Sequence, residues 1–265
     1  MISMAKKILM YSMKGGIGKT TIQSMNAWNL AKDGHKVLAV DLDPQANLTN
    51  ILFNTFGHKE PEKGLFDSFV SGDLTTAKVQ LSEHLDLLVS DWSMSLFVSK
   101  FESIDTRTRN LILRELLKPF ENQYEYILLD VPPTISTLTN NAVLASDFVA
   151  IVLQTQQASF DGALKTVTYL NQLRNDYSAG FSMIGVVVYL LKRSSVTEND
   201  IVKTAKETFG DLLFTNQVLN RERVKRWAMN GITDNVKDVN DRNVHSMFNF
   251  VTAETLRRIS EMEKE

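Results

Sequence analysis

The sequence predicts an α/β fold, a doubly wound, mostly parallel sheet with helices on both faces. Three observations carry that expectation. Short apolar runs alternate with longer segments in which apolar residues recur every three or four positions, the order of strands joined by right-handed helical crossovers. Most of the runs are continuous aliphatic and β-branched stretches rather than alternating ones, as in strands covered on both faces. A glycine-rich turn, Lys14-Gly15-Gly16-Ile17-Gly18-Lys19-Thr20-Thr21, separates the first run from the first helical pattern.

Taken in order, the first strand is predicted over 7–11, where Ile8-Leu9-Met10-Tyr11 is unbroken apolar sequence. A helix is predicted over 19–32, stopped by Gly34, a residue that tolerates the left-handed conformation common after helix ends. Further strands are expected over 36–40, 85–89, 126–129, 148–153 and 182–189. Further helices are expected over 106–121, 137–145, 160–176, 198–209 and 244–262. In 160–176 and just beyond, Leu164, Val167, Leu170, Leu173 and Tyr177 share one face. Segment 54–105 is the least regular part and is predicted to be an insertion or a mobile lobe. With no repeat, no low-complexity tract and no Pro/Gly/Ser-rich linker, residues 1–265 are read as a single domain.

Composition narrows the function classes. The chain has 265 residues, 43% hydrophobic and 23% charged, enough to bury a full core without covalent staples. It has no cysteine, which removes disulfides, thiolate metal sites and iron–sulfur clusters, and with them a nitrogenase-reductase-like electron carrier. The longest apolar runs, Phe148–Leu153 and Val186–Leu191, are far too short to span a bilayer. Only four apolar residues follow Lys6 and Lys7, too few for a signal-peptide core. A cytoplasmic location is expected. The formal net charge is −2, so nucleic acid would have to be met by a local basic patch.

The glycine turn is the informative motif. After a strand and before a helix, its backbone N–H groups turn inward on phosphate oxygens, and the helix N-terminus adds positive potential. Lys19 is placed to reach the β- and γ-phosphates and the Thr20 hydroxyl to ligate Mg²⁺. Met13 stands where the general phosphate loop has its first glycine, and Lys14 precedes the double glycine, giving the deviant form K-G-G-x-G-K-S/T. Two carboxylates, Asp41 and Asp43, end the second strand, and Asp130 ends the fourth, before Val131-Pro132-Pro133. Ligands of open α/β sheets sit beyond the carboxyl ends of the strands, so all three acids emerge at the level of the loop. Taken singly, Asp43-Pro44 also reads as a turn opener or a helix cap.

Together these strings resemble the ParA family of deviant Walker A DNA-partition ATPases, a branch of the P-loop NTPases. The resemblance rests on Asp41-Leu42-Asp43-Pro44-Gln45-Ala46-Asn47, Leu128–Pro133 and the stretch 154–162, beside the loop itself. It runs over about 6–256 and suggests the short type, without a DNA-reading domain ahead of the ATPase core. It implies ATP and Mg²⁺ as ligands, bound by Gly15, Gly16, Ile17, Gly18, Lys19, Thr20 and Thr21, the last at the α-phosphate. Thr20, Asp41 and Asp130 would hold Mg²⁺, the two acids through water, and Asp43 would position the attacking water. Lys14 would cross a sandwich homodimer to the partner's nucleotide, making Lys14, Lys19 and Asp43 the catalytic set. Base contacts are placed at Val218 and Asn220, although the stretch Val218-Leu219-Asn220-Arg221 lacks the family's Ile-Pro.

The resemblance further implies non-specific DNA binding, nucleoid association of the ATP-bound form and a centromere-binding ParB-like partner. Candidate DNA contacts are Lys192, Arg193, Arg221, Arg223, Lys225 and Arg226; the same run also reads as an ordinary solvated helix face. Two other readings share the loop. One is an ATP-gated regulator of transcription or replication. The other is a MinD-like membrane-positioning ATPase, which needs an amphipathic C-terminal membrane helix, whereas this chain ends in an acidic tail, so no membrane partner is expected.

Overall fold

The computed structural model describes residues 4–192 and 195–264. Among them one sheet of eight strands runs β3-β4-β2-β5-β1-β6-β7-β8. The strands are β1 Lys6–Tyr11, β2 Val37–Asp41, β3 Lys78–Gln80, β4 Leu85–Leu88, β5 Tyr126–Asp130, β6 Phe148–Gln154, β7 Ser182–Leu191 and β8 Val218–Leu219. Every pairing is parallel except that of β3, which runs antiparallel to β4 at one edge. The doubly wound expectation holds, and the continuous apolar runs explain it: the six central strands are buried almost along their length.

Helices cover both faces. They are α1 Lys19–Lys32, α2 Asn47–Phe56, α3 Leu65–Ser71, α4 Phe97–Lys100, α5 Thr106–Arg109, α6 Ile112–Leu117, α7 Thr137–Ala145, α8 Gln157–Tyr177, α9 Val196–Phe209, α10 Glu222–Lys225, α11 Trp227–Asn230 and α12 Val239–Met262. The side-chain period of two sends Leu38, Val40, Leu129 and Ile151 to one face, against Leu113, Leu138, Phe160 and Leu170. It sends Ile8, Met10, Val37 and Leu128 to the other, against Ile22, Met25, Leu52 and Phe248.

Helix α1 is buried although it is polar, and each polar group has a partner. The Gln23 amide donates to the carbonyls of Ile8 and Leu129 at 2.9 and 2.8 Å, bridging β1 and β5 under the glycine turn. Asn29 donates to Thr252 Oγ1, and that hydroxyl donates on to Asn26, fastening α1 to α12. Satisfied in this way, the buried amides hold the loop's helix in one place instead of destabilising it.

Two expectations are corrected. The helix predicted over 106–121 is broken into α5 and α6. Asn141, from α7, inserts its amide where the Leu113 N–H would meet the Arg109 carbonyl: Leu113 N donates to Asn141 Oδ1 at 2.9 Å, and Asn141 Nδ2 donates to the Arg109 oxygen at 2.8 Å. A side chain inserted into the hydrogen-bond ladder breaks a helix as surely as proline does. Segment 54–105 is not a separate lobe either. Leu65, Phe69, Leu74, Ala77, Met94 and Phe97 join the core on one face of the sheet, and β3 and β4 extend the sheet itself.

The close approach of α2 to the turn after α11 depends on Gly231. Its φ is 72°, and a Cβ there would stand 2.5 Å from the Asn54 carbonyl carbon and oxygen. Gly231→Ala is expected to destabilise the chain by about 1–3 kcal/mol through backbone overpacking and strain, read as a drop in denaturant midpoint. An unchanged midpoint would show that this contact is loose.

Candidate active site

Strand β1 ends at Tyr11, and the chain turns through Lys14–Gly18 into α1. Gly16 and Gly18 take positive φ, 70° and 93°, and Gly18 is the left-handed residue that opens the helix. Gly18 has a second constraint. The ring of Tyr189, near the end of β7, lies where a Cβ would be, its atoms 2.3–2.4 Å from that position. Pro133, after β5, packs against Gly15 from the opposite side, 3.4 Å from the position of a Cβ there.

These residues enclose a cavity of about 340 Å³ at the carboxyl ends of the strands. Its walls are the turn Gly15–Thr21, the β2–α2 connection with Asp43, Gln45 and Asn47, Ile51 of α2, Val131 and Pro133, Tyr189, and Ala228 of α11. A larger hollow of about 850 Å³ opens at the amino ends of the strands, beside Lys36, Asp86 and Tyr124. Its one lining glycine, Gly34, follows a helix end instead of opening a helix, and two of its charged groups, Lys78 and Asp86, already pair with each other at 3.1 Å. The smaller cavity is therefore the site that carries the chemistry.

Of the acids predicted from sequence, Asp43 lines this cavity and Asp130 bonds the lining residue Thr20. Asp41 and Asp130 are register partners at the ends of β2 and β5, and both are fully buried. Asp41 accepts from the backbone N–H groups of Asp43 at 3.1 Å and Thr49 at 2.8 Å, so it also caps α2. Asp130 Oδ2 accepts from the Thr20 hydroxyl at 2.7 Å, while its Oδ1 is buried with no hydrogen-bond partner. Burial pushes both carboxyl groups well above the usual carboxylate range, and the Asp130 charge raises Asp41 further. Asp43 is buried and accepts from Gln45 N–H at 2.9 Å, and Ser90 donates to its carbonyl. Asp43 therefore forms the turn and also lines the cavity.

Lys19 is buried, and its ammonium lies 3.4 Å from the Lys14 carbonyl. Burial lowers its pKa, while the charges of Asp130 and Asp43 work in the opposite direction. A buried lysine and an orphaned carboxylate oxygen beside a hydroxyl form a set that an anionic phosphate and a hard cation would complete. No cluster of three or more His, Cys, Asp or Glu suited to a metal exists among the described residues.

Other predicted residues lie elsewhere. Lys14 is outside the cavity lining: its ammonium donates to Gln156 Oε1 at 2.6 Å, at the junction of β6 and α8. Val218 and Asn220 are also outside it. Val218 is core, paired in register with Tyr189, and Asn220 N–H donates to the Leu191 carbonyl. In the basic stretch, Arg223 is tied inward to Asp238 and to the buried Asp241, the latter at 2.9 Å, and Lys225 pairs with Glu222 at 2.6 Å. Arg221, Arg226 and Lys192 are exposed. The Glu222 carboxyl is held low by the hydrogen bond and charge of Lys225, with Arg226 and Lys192 adding to the effect, so Lys192 shares this surface. Arg193 falls outside the described residues. Sequence reasoning missed Tyr189, Ala228 and Gln156, which reach the loop only through tertiary folding.

The family described as AAA domain matches residues 5–183. The sporulation initiation inhibitor protein Soj of Bacillus subtilis is 26% identical over 230 residues, 86% of this chain and 89% of that protein. The chromosome partitioning protein ParA of Caulobacter vibrioides is 28% identical over 215 residues, 80% of this chain and 79% of its own length. Among solved structures, an ATP complex of a Cyanothece McdA variant superposes with a TM-score of 0.81 at 22% identity, covering 96% of this chain and 97% of the other. With the loop, the paired acids and the doubly wound sheet in place, the chain belongs to the AAA-domain family and, within it, to the ParA-type P-loop ATPases.

Proposed function

We propose that this chain is a DNA-partition ATPase working as one ATPase domain, which hydrolyses ATP to ADP and phosphate with Mg²⁺. The observation that carries this reading is the division of the two lysines. Lys19, Thr20 and Asp43 line one cavity, and the buried Asp130, the register partner of Asp41, accepts from Thr20, while Lys14, from the same loop, bonds Gln156 outside that lining. A lysine outside the lining of its own chain's cavity supports the reading that it serves a second chain.

In this reading the loop N–H groups and Lys19 bind the β- and γ-phosphates, and Thr21 binds the α-phosphate. Thr20, and Asp41 and Asp130 through water, would hold Mg²⁺, which would neutralise charge on the phosphate oxygens. Asp43 orients the attacking water. Phosphoryl transfer asks for positioning and charge stabilisation more than for a strong base, so a lysine delivered in trans accelerates it only once two chains meet. The ATP-bound homodimer then binds bulk DNA in the cytoplasm without regard to sequence, and a centromere-binding ParB-like protein stimulates hydrolysis and releases it. The name of the Caulobacter vibrioides relative, a chromosome partitioning protein, supports the choice of partition. A membrane-positioning role is disfavoured because the last helix, α12, buries Val244, Phe248, Val251 and Ile259 in the core. No helix of the described residues is long and apolar enough to cross a membrane.

The deciding measurement is the ATPase rate with and without bulk DNA and the ParB-like product of a neighbouring gene. Synergistic stimulation is expected, and a rate indifferent to both would overturn the partition reading. The basic surface has its own test. Arg226→Ala is expected to weaken DNA retention about threefold to tenfold and to lower the salt slope by about one. Arg223→Ala is expected chiefly to lower the melting temperature, because it leaves the buried Asp241 without its ionic partner. Unchanged retention and slope in both variants would remove DNA from this surface.

A further inference from the structure

We infer that Ser90 is a positioning residue for hydrolysis: its buried hydroxyl holds the turn that carries Asp43, and so fixes where the Asp43 carboxyl stands at the cavity. The inference rests on the reading above in which Asp43 orients the attacking water, and it adds a residue that no motif contains. Three observations carry it. Ser90 is 3% exposed, and its Oγ donates to the Asp43 carbonyl at 2.9 Å across 47 positions of sequence. The Ser90 N–H donates to Thr49 Oγ1 at 3.2 Å, and the Thr49 N–H donates in turn to Asp41 at 2.8 Å. The turn from Asp43 to Ala46 ends on a left-handed alanine, Ala46 with φ 52°.

The turn is shaped by its own residues and placed by more distant ones. The Ala46 N–H closes it on the Asp43 carbonyl at 2.8 Å, the Gln45 N–H holds one carboxylate oxygen of Asp43 at 2.9 Å, and the Asp43 N–H is tied to Asp41 at 3.1 Å. Bonds between such near neighbours set the form of the turn and leave its position relative to the sheet open. Two longer bonds set that position. Leu42 N–H donates to the Asp130 carbonyl at 2.9 Å on the β5 side, and Ser90 holds the Asp43 carbonyl on the β4 side. Strands β2 and β4 pair as far as Val40 and Leu88, so Ser90 stands beyond the last pair, as Leu42 does. A non-glycine residue persists in the left-handed region where its surroundings constrain it, and Ser90 supplies a constraint at the other end of the same turn. Without the Ser90 hydroxyl, the Asp43 carbonyl keeps its bond to Ala46 and loses its tie to β4. The turn is then free to shift as a unit and to carry the carboxyl with it. Phosphoryl transfer depends on the placement of the attacking water, whereas nucleotide binding is left to the glycine turn. Ser90 does not line the cavity itself, so it acts through Asp43.

The test is ATP hydrolysis by the full chain with Mg²⁺, kcat and KM read separately with γ-labelled ATP so that slow residual rates are measured, beside the nucleotide-free melting temperature. A wild-type chain that does not hydrolyse ATP overturns the ATPase reading and this inference with it; the outcomes below overturn the inference alone. Ser90→Ala is expected to lower kcat about threefold to tenfold, the range of one net hydrogen bond, with KM within about twofold of wild type. In an Asp43→Ala background, Ser90→Ala is expected to lower the residual kcat no further. Its cost in melting temperature is expected to be the same in both backgrounds, because the carbonyl that Ser90 holds belongs to the main chain and survives Asp43→Ala. Wild-type kcat in Ser90→Ala, an equal fold-loss of kcat in both Asp43 backgrounds, or a loss that falls on KM instead of kcat overturns the role of Ser90.

Discussion

Replacing Lys14 by alanine is expected to leave ATP affinity within about threefold and to cut stimulated hydrolysis by about 10²–10³-fold, the scale on which one preorganised charge stabilises a transition state. The reason is geometric. Lys19 is buried in the cavity beside Asp130 and Asp43, whereas Lys14 reaches only Gln156 on its own chain. Removing Lys14 therefore takes nothing from the chain's own ground-state site. Asp43→Ala is the complementary variant: it keeps both lysines and loses the group that orients water, so an ATP-bound dimer should accumulate in size-exclusion chromatography. A Lys14→Ala variant that hydrolyses ATP at the wild-type stimulated rate would falsify the trans-lysine assignment.

The second large effect is one of stability and concerns Asp41 and Asp130. Both carboxyl groups have folded-state pKa values raised by burial, and each sits beside the other's strand end. A group whose pKa is higher folded than unfolded favours the folded state at low pH and loses that contribution as pH rises through the folded value. Without nucleotide, Asp130→Asn is therefore expected to be more stable than wild type at pH 8.5, by about 1–3 kcal/mol, with the gap closing toward pH 5. Magnesium nucleotide should reverse the order, stabilising wild type at pH 8.5 and Asp130→Asn far less, because only a carboxylate offers the cation full charge. Denaturant melts at the two pH values, with and without ligand, decide the matter. A gap that does not change with pH would mean that the two acids stay charged in the empty site and are compensated there by other means.

What was legible from sequence was what lies close in sequence. The glycine turn carries its own conformation, and Asp41, Asp43 and Asp130 sit at ends of strands that read plainly as buried runs. Their convergence follows from one rule about where parallel strands present ligands. Asn141 was not legible in its role, because a side chain twenty-eight positions away in sequence from Leu113 takes over a helix bond that local pattern alone predicts. Tyr189 was hidden for a related reason. It reads as one more apolar residue in a strand, and only the parallel placement of β7 two strands from β1 brings its ring over Gly18. Segment 54–105 lacked a clear period because its elements are short: its sheet contribution is the four-residue β4 and the three-residue antiparallel edge β3.

Helix α2 has a consequence for the molecule's mechanics. Its first turn hangs from Asp41 through the Thr49 N–H. Its last turn holds α11 and the turn that follows it: Asn54 Nδ2 donates to the Ala228 carbonyl at 3.0 Å, and Ile232 N–H donates to Thr55 Oγ1 at 2.8 Å. Ten residues of α-helix make a strut about 15 Å long. One end is fixed to the buried Asp41 carboxylate, and the other to the segment that follows Arg221–Arg226. The phosphate site and the basic surface are thus two ends of one stiff rod, and neither can be repositioned without carrying the other.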